Sequence, residues 1–410
     1  MVNLRVDKNH SMLNKFITLL AMGLALCGCG GKEPVAYEKG SFGYDLCFLS
    51  GKDSVVVLAD NDSASLVLVS PKYQGKVFTS SLEGLGGKSI GWVNHKAFEL
   101  AIPDEHMNGF GGENRFWLGP EGGVFSLFFK EGVAQEIANW YTPKGIDIEA
   151  WELVRSSATT VGMKKDMSVS NYKGTDFAIA IERDIELINK AEISKLLGNA
   201  FCNDLKFVAY KSVNRITNKN DFAWTDSTGT VCMWMLDMFP HGENASTLVP
   251  FNEGSEAELG KRITSDYFGE IPADRLYEKN GVFVFKTDGK FRSKIGLNSK
   301  RTKGIAANFN NDTMILTVIT FGFEKDATYL NQEWNIERNP LVGDVFNAYN
   351  DGPLADGSQM GPFLELESSS PAAFLKPGES MEHIHNVYHF SGSIDTLNKI
   401  SNALLGISLT

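Results

Sequence analysis

The sequence predicts an all-β fold, on two observations. Short apolar runs rich in β-branched and aromatic residues follow one another, separated by turn residues, and several alternate apolar with polar positions. Helical periodicity, by contrast, is rare. Many short strands at irregular spacing are typical of a β-sandwich or a barrel. The predicted strands are 54–58, 65–69, 124–129, 177–185, 207–216, 231–238, 282–286, 305–309, 313–321 and 386–390.

Turn and cap residues define the remaining elements. Asn310-Asn311-Asp312 lies between two predicted strands and favours a hairpin turn, because Asn and Asp tolerate positive φ. Residues 191–197, between Asn189 and a glycine, are predicted to form a short helix. Residues 394–405 are predicted to form a terminal amphipathic helix, with apolar residues on one face.

The N-terminus has the features of an export signal. Lys15 is followed by an apolar run, 16–26, which is shorter than the about 20 residues that a membrane-spanning helix needs. The run ends in Leu26-Cys27-Gly28-Cys29, which resembles a bacterial lipobox with Cys29 as the lipid acceptor. We therefore predict a lipoprotein signal peptide over residues 1–28, with Met12 as an alternative start. An ordinary signal peptide cut nearby is the alternative.

After the signal, residues 29–41 form a predicted polar tether, and residues 42–410 are predicted to form a single β-sandwich domain. No repeat and no Pro- or Ser-rich linker divides this part of the chain. The lipid anchor would place the protein in the cell envelope at the outer membrane. The sequence leaves open whether it faces the periplasm or the outside.

Composition argues against two classes of partner or site. The formal net charge is −11, with the acids spread along the chain, whereas nucleic-acid binding needs a basic surface. No Cys-x-x-Cys occurs, so a structural zinc site built on thiolates is not expected. We expect no cofactor and no nucleic-acid partner.

Residues 361–390 concentrate titratable groups beside apolar residues. Glu365 and Glu367 are spaced to point the same way from one strand, and a Pro377-Gly378 turn follows. The segment also contains His383, His385 and His389, so we predict one hairpin that carries acids on one strand and histidines on the other. Such clusters are typical of sites for proton transfer or ligand binding.

The three histidines would share one face of the last strand. Two imidazoles two residues apart can share a metal ion, and Glu365 or Glu367 from the partner strand could supply oxygen. Alternatively the histidines line a polar ligand cleft, His385 among them, or lie partly exposed near a sheet edge.

An earlier segment is predicted to bind a ligand. Glu113, Arg115 and Trp117 would share one strand face, between Gly-rich turns. Arginine presents a fixed fork of donors to hydroxyls or carboxylates, and tryptophan offers a flat surface to the C–H face of a sugar ring. The alternative is a Glu113–Arg115 ion pair beside a core tryptophan.

Two smaller sets are predicted to line the same cleft. Arg292 and Lys294 would share a strand face and form a basic wall, or else a solvated charged face. Asn347, Tyr349 and Asp351 would share another face that suits sugar hydroxyls, or equally a loop whose polar groups bond to one another.

Three segments, 213–239, 305–321 and 361–390, resemble in order the galactose mutarotase-like family. The resemblance implies a large antiparallel β-supersandwich with few short helices and a sugar cleft on its concave face. The segment 106–123, HMNGFGGENRFWLGPEGG, further resembles an uncharacterised family of bacterial lipoproteins, a domain of unknown function, within that superfamily.

The resemblance also implies roles for individual residues. Glu367, with Pro371 after it, matches the glutamate that acts as general base, although Glu365 stays possible. His241 follows the strand that delivers the family's general acid, but it lies in Phe-Pro-His-Gly rather than the family's Asn-His-x-Tyr-Phe. Arg115, preceded by Asn114, matches the arginine that touches substrate.

These observations leave three functions open. A lipid-anchored protein that binds a carbohydrate without established catalysis is favoured, because the family's histidine pattern is missing. The first alternative is an aldose 1-epimerase-like isomerase that uses a glutamate base. The second is a non-catalytic lipoprotein with a structural or partner-binding role.

Overall fold

The computed structural model describes residues 36–100, 102–202 and 205–409. The predicted signal peptide, the predicted lipid acceptor Cys29 and most of the predicted tether lie outside these residues. The helices are α1 Phe42–Ser50, α2 Lys190–Leu197, α3 Glu256–Leu259 and α4 Ile394–Leu405. The strands are β1 Val56–Ala59, β2 Leu66–Ser70, β3 Lys76–Ser81, β4 Arg115–Gly119, β5 Glu152–Ser156, β6 Thr160–Ser170, β7 Asp176–Leu187, β8 Lys206–Asn218, β9 Cys232–Pro240, β10 Ala245–Pro250, β11 Leu276–Lys279, β12 Val282–Lys286, β13 Ser293–Leu297, β14 Ile305–Asn310, β15 Ile315–Phe321, β16 Phe346–Asn350, β17 Phe363–Ser369 and β18 Ser380–Ser391.

The strands of the described residues form three sheets, in which all the paired strands are antiparallel. The large sheet has ten strands in the order β11-β12-β10-β14-β15-β18-β8-β7-β6-β5. A second sheet has five, in the order β13-β16-β17-β9-β4, and β1-β2-β3 form a small third sheet. The prediction of a large antiparallel β-sandwich with few short helices is confirmed.

The largest apolar cluster packs the five-stranded sheet onto the ten-stranded sheet. Phe321 of β15 and Phe346 of β16 stack across the sandwich with ring centroids 5.9 Å apart. Burying an aromatic side chain of this kind stabilises a fold by about 1.5–3 kcal/mol. The sandwich therefore has one continuous core, which fixes the position of the five-stranded sheet and of the residues on its outer side.

The terminal helix covers the other side of the large sheet. Ser393 caps α4 by accepting a hydrogen bond from the backbone N of Thr396, and Gly406 ends the helix in the left-handed conformation. Leu397 and Ile400 are buried against that sheet. Both predicted helices are confirmed, because cap residues and an apolar face can be recognised locally.

The predicted strand at 124–129 is wrong. The segment forms turns instead, while Leu127 and Phe128 enter the main core. The hydroxyl of Ser126 donates to the carbonyl of Glu121 and fixes the turn. An apolar run can thus be buried without sheet pairing, because burial depends on side chains and a strand on backbone partners.

The predicted hairpin over 361–390 is also wrong. β17 pairs with β9 and β16 in the five-stranded sheet, whereas β18 pairs with β8 and β15 in the ten-stranded sheet. The connection between them therefore passes from one sheet to the other. As a result, the acids of β17 and the histidines of β18 are not neighbours on a shared face.

No helix within the described residues is long and apolar enough to cross a membrane.

Candidate functional site

One face of the five-stranded sheet carries most of the predicted site. The registers place Arg115 opposite Leu236, Leu236 opposite Glu367, and Glu367 opposite Asn347. Directly opposed residues of antiparallel strands lie on the same face, and so do residues two apart on one strand. We call this the outer face, because it points away from the ten-stranded sheet. It comprises Arg115, Trp117, Trp234, Leu236, Met238, Lys294, Asn347, Tyr349, Glu365 and Glu367.

Arg115 and Glu365 join the two segments that the sequence singled out. Nη2 of Arg115 donates to Oε1 of Glu365 in a buried ion pair, although 250 positions separate the residues in sequence. The guanidinium carbon lies 5.2 Å from the ring centroid of Trp117. Burial raises the pKa of Glu365 to about 7; the Arg115 charge opposes the rise and the Glu367 carboxylate adds to it.

Glu367 is held by two donors on one oxygen. Nζ of Lys294 and Nε1 of Trp234 each lie 2.9 Å from Oε2. The residue is only 1% exposed, and its Oε1 has no hydrogen-bond partner among the described residues. Burial opposes the protonation of Lys294, but the carboxylates of Glu367 and Glu121 hold the pKa of Lys294 above its ordinary value. Glu367 is thus a buried acceptor with one oxygen left for a donor.

Glu121 is a third carboxyl group beside this pair, and sequence reasoning missed it. Its backbone N donates to Oε1 of Gln332 at 2.6 Å, and its side chain is hydrogen-bonded to Trp334. Burial raises the pKa of Glu121 to about 7, with Lys294 opposing the rise. The signal available in the sequence was an acid inside the Gly-rich turn that follows β4.

Aromatic rings surround the charged groups. Trp117 and Trp234, directly opposed on β4 and β9, meet edge to face with centroids 5.7 Å apart. Trp140 lies 6.4 Å from Trp117 and stacks on Trp334 at 6.2 Å. Aromatic walls of this kind exclude water, so the ion pairs inside act in a medium of low dielectric constant.

The β13 and β16 side of the face carries two further hydrogen-bonded sets. Nε of Arg292 donates to the hydroxyl of Tyr349 at 3.0 Å, and that hydroxyl donates to Asp351 at 2.6 Å. Arg292 also lies over the ring of Phe268, 4.0 Å from its centroid. The structure therefore brings the predicted Arg292 to this face of the sheet.

Asn347 is placed there as well, but its contacts involve a residue that the sequence did not indicate. Its Nδ2 donates to the hydroxyl of Tyr267 at 3.0 Å, and the same hydroxyl lies 2.8 Å from Oδ2 of Asp344. Tyr267 lies in an irregular segment between α3 and β11, where no strand or helix pattern points to a site.

The histidines of β18 point into the interior and not onto the outer face. Nε2 of His385 lies 2.7 Å from Oδ2 of Asp237. The hydroxyl of Ser368 is hydrogen-bonded to the rings of both His385 and His383. His389 contacts Glu113 at 2.9 Å. The three rings do not converge on one point, and no group of three or more metal-ligating side chains occurs among the described residues. The hypothesis that they bind a metal with Glu365 or Glu367 is wrong, because those acids lie on the opposite face.

Glu113 and His241 are also separated from the outer face. The carboxylate of Glu113 bonds to Ser80 and His389 inside the sandwich, since β4 begins only at Arg115 and strand alternation does not extend back to Glu113. His241 follows the end of β9, five residues beyond the position opposite Glu367. At about 3.3 Å per residue it lies about 16 Å along the strand. Because proton transfer requires hydrogen-bond reach, His241 and Glu367 cannot serve one sugar ring as acid and base.

The solved structures to which this chain is similar have low sequence identity to it. A putative aldose 1-epimerase from Escherichia coli K12 is 11% identical, with a TM-score of 0.47, over 82% of this chain and 98% of that chain. A galactose mutarotase-like protein from Lactobacillus casei ATCC 334 is 10% identical, with a TM-score of 0.45, over 82% and 99%. A galactose mutarotase related enzyme from Lactobacillus acidophilus is 8% identical, with a TM-score of 0.43, over 82% and 97%.

The comparison with curated proteins finds no match. A family model, by contrast, matches residues 40–410, which include every described strand and helix. The chain therefore belongs to the family of unknown function DUF6786.

Proposed function

We propose that the protein binds a carbohydrate on the outer face of the five-stranded sheet. The observation that carries the proposal is Oε1 of Glu367, a buried carboxylate oxygen without a partner among the described residues. A buried acceptor left unpaired costs about 1–3 kcal/mol, and more when it is charged. A ligand hydroxyl that donates to Oε1 would recover this free energy.

The groups around Glu367 fit a sugar better than an apolar ligand. Arg115 and Lys294 are donors held in ion pairs, so they can share their remaining hydrogens with ring hydroxyls. Trp117 and Trp234 add apolar ring surface beside these groups, of the kind that packs against the C–H face of a pyranose. Few convergent polar groups within an aromatic surround are typical of small-molecule sites.

Binding is tested best with Glu367→Gln, which keeps the side-chain shape and removes the charge. The full chain carrying Cys29→Ala, which removes the predicted lipid acceptor, is applied to a glycan array with and without Glu367→Gln. Glu382→Gln serves as the matched control, since Glu382 is an exposed strand glutamate that pairs with Arg215 at 3.0 Å. We expect Glu367→Gln to lose at least about tenfold in affinity. Equal signals from all three proteins would contradict binding at this face.

Catalysis of the aldose 1-epimerase type is the second candidate, and the raised pKa of Glu365 favours it. The carboxylate of Glu367 would take the proton of the anomeric hydroxyl, the C1=O1 double bond would form as the C1–O5 bond breaks, and a protonated carboxyl group would give its proton to O5. Rotation about C1–C2 and the reverse steps would then close the ring to the other anomer. A carboxyl group with a pKa of about 7 is protonated in about half of the molecules at neutral pH. Glu365 therefore replaces His241 as the proposed acid.

Turnover is measured by adding the protein to freshly dissolved α-glucose or α-galactose and following the anomeric NMR signals. Acceleration that disappears in Glu367→Gln and persists in Glu382→Gln would support the enzyme. If the rate of anomer interconversion is unchanged while the glycan array shows binding, the protein binds sugar without epimerase activity.

We also propose that Cys29 anchors the protein to the outer membrane of the cell envelope through lipid. The lipobox-like Leu26-Cys27-Gly28-Cys29 supports this. Mass spectrometry of the N-terminal peptide from detergent-extracted cells tests it. A diacylglyceryl adduct is expected on Cys29 and should be absent in Cys29→Ala, whereas an unmodified N-terminus after another cut would contradict the anchor.

A further inference from the structure

A separate cavity lies between the segment after α3 and the loop that precedes β16. Its volume is about 620 Å³, within the range of about 300–1,000 Å³ that is usual for ligand sites. Tyr267 and Tyr329 contribute aromatic surface, and Lys261, Arg338 and Asp344 are among its charged lining residues. None of the residues predicted from the sequence to bind a ligand lines this cavity.

The cavity and the outer face share a wall. Tyr267 lines the cavity, while its hydroxyl accepts from Asn347 on the outer face, and Nζ of Lys294 lies 5.6 Å from its ring centroid. Gln332 forms a second part of the wall. It lines the cavity, and its Oε1 accepts the backbone N–H of Glu121. A ligand that lies on the outer face therefore has the cavity beside it.

The lining of the cavity is polar but balanced in charge. Lys261 pairs with Asp266 at 2.9 Å, and Arg338 pairs with Glu333 at 3.3 Å. The remaining two charged lining residues, Lys300 and Asp344, are also of opposite sign. A phosphate or a carboxylate needs an excess of positive charge, which this lining does not supply. Paired charges beside tyrosines instead offer donors, acceptors and flat rings to a neutral polyol.

We propose that this cavity binds further sugar units of the glycan that occupies the outer face, so that the ligand is a neutral oligosaccharide and not a monosaccharide. The inference rests on the proposed function, because it extends the same site across the Tyr267 and Gln332 wall. Each added unit gains hydrogen bonds and ring contacts in the cavity. Affinity should therefore rise with chain length until the cavity is filled.

Val342→Trp tests the cavity without touching the outer face. Val342 lines the cavity and is 66% exposed, so a larger side chain can fill space there without displacing the core. Val154→Trp on β5 is the matched control, since this valine is 49% exposed and lies on the edge strand of the large sheet. Lys300→Ala and Lys303→Ala form a second pair on one turn; both lysines are exposed, but only Lys300 lines the cavity.

The probes are glucose and galactose, with cellobiose, maltose, maltotriose and lactose as their longer forms, each titrated by calorimetry. We expect a di- or trisaccharide to bind at least about tenfold tighter than its monosaccharide. Val342→Trp should abolish that advantage and leave monosaccharide affinity unchanged, and Lys300→Ala should reduce it. Both control variants should behave as the parent.

Equal affinity for short and long sugars, or an advantage that survives in Val342→Trp, would overturn this inference while leaving sugar binding on the outer face intact. Absence of binding to every probe and to the glycan array would contradict the proposed function itself, and the cavity proposal with it.

Discussion

Asp237 and His385 connect the two sheets of the sandwich, with Oδ2 of the first 2.7 Å from Nε2 of the second. Both side chains are fully buried. On β9, the residues on either side of Asp237 point to the outer face, so this contact lies directly behind the candidate site. The network continues from Asp237 through Asn114 to Arg183, which is also buried. Its members position β4 and β9, the two strands that carry Arg115 and Trp234.

Replacing Asp237 should strongly destabilise the fold. Asp237→Ala leaves His385 and Asn114 without their carboxylate partner in the interior, and breaking a buried pair in this way costs about 3–5 kcal/mol. Urea unfolding followed by tryptophan fluorescence measures the loss. Glu382→Ala removes one partner of the exposed Arg215 pair and should change stability by less than about 1 kcal/mol. Similar small losses in both variants would show that the inter-sheet contact is dispensable.

Lys294 and Glu367 should behave as one energetic unit. Lys294→Met and Glu367→Gln alone should each lower the free energy of unfolding by about 3 kcal/mol, because each leaves a buried group without its charged partner. The double variant should cost clearly less than the sum, with a coupling energy of about 1–3 kcal/mol. The same cycle on the exposed Lys206–Glu83 pair, as Lys206→Met and Glu83→Gln, should give a coupling below about 1 kcal/mol. Additive losses at the buried pair would contradict the predicted coupling.

Glu121 should make stability fall as the pH rises from about 4.5 to about 7. Its folded pKa of about 7 lies above the ordinary value of 4.5, chiefly through burial. In this window the folded state binds the proton more tightly than the unfolded state, so raising the pH favours unfolding. Glu121→Gln removes this titration. As the pH rises from about 4.5 to about 7, its free energy of unfolding should therefore increase by about 1–3 kcal/mol relative to that of the parent. Glu105→Gln, at a side chain 81% exposed, should parallel the parent in urea midpoints measured across the window. If the urea midpoints of Glu121→Gln also run parallel to those of the parent, the raised pKa of Glu121 is refuted.

Lys76 should act in the opposite direction, at higher pH. Burial lowers the pKa of Lys76 to about 7, and the Arg115 charge adds to the effect. Between pH 7 and 10.5 the unfolded chain binds the proton more tightly, so the contribution of Lys76 to stability rises with pH. The free energy of unfolding of Lys76→Met should therefore exceed that of the parent by about 2–4 kcal/mol near pH 6, and the difference should disappear by pH 10. Urea midpoints against pH give the comparison, and Lys164→Met, at an exposed lysine, is the control. An advantage that does not vary with pH would point to packing alone.

Local pattern was sufficient for the fold class and for the strand faces on which several candidate site residues lie. Alternation within single strands placed Arg115 with Trp117, and Glu365 with Glu367, on common faces, and the registers agree. The short helix capped by Asn189 and the terminal helix could be recognised because caps and apolar periodicity act within a few residues. These features depend only on neighbours along the chain.

The pairing of strands was decided by tertiary structure. A Pro-Gly turn between two strand-like segments suggested a hairpin, yet β17 and β18 join different sheets, so the histidines lie behind the acids and not beside them. Nothing in the local sequence distinguishes a turn within a sheet from a passage between two sheets. Partner choice depends on burying apolar surface across the sandwich, which involves residues hundreds of positions apart.

Within each strand the sequence determined which side chains share a face, since alternation is a property of the extended backbone; it did not determine that β4 begins only at Arg115 and so leaves Glu113 off that face. Only the tertiary structure decided what each face meets: Lys294 and Trp234 for Glu367, Asp237 for His385, and Gln332 for the loop of Glu121. The physical reason is that a buried charge takes its partner from whichever element packing brings within hydrogen-bond reach, and that distance is set by the core and not by the chain.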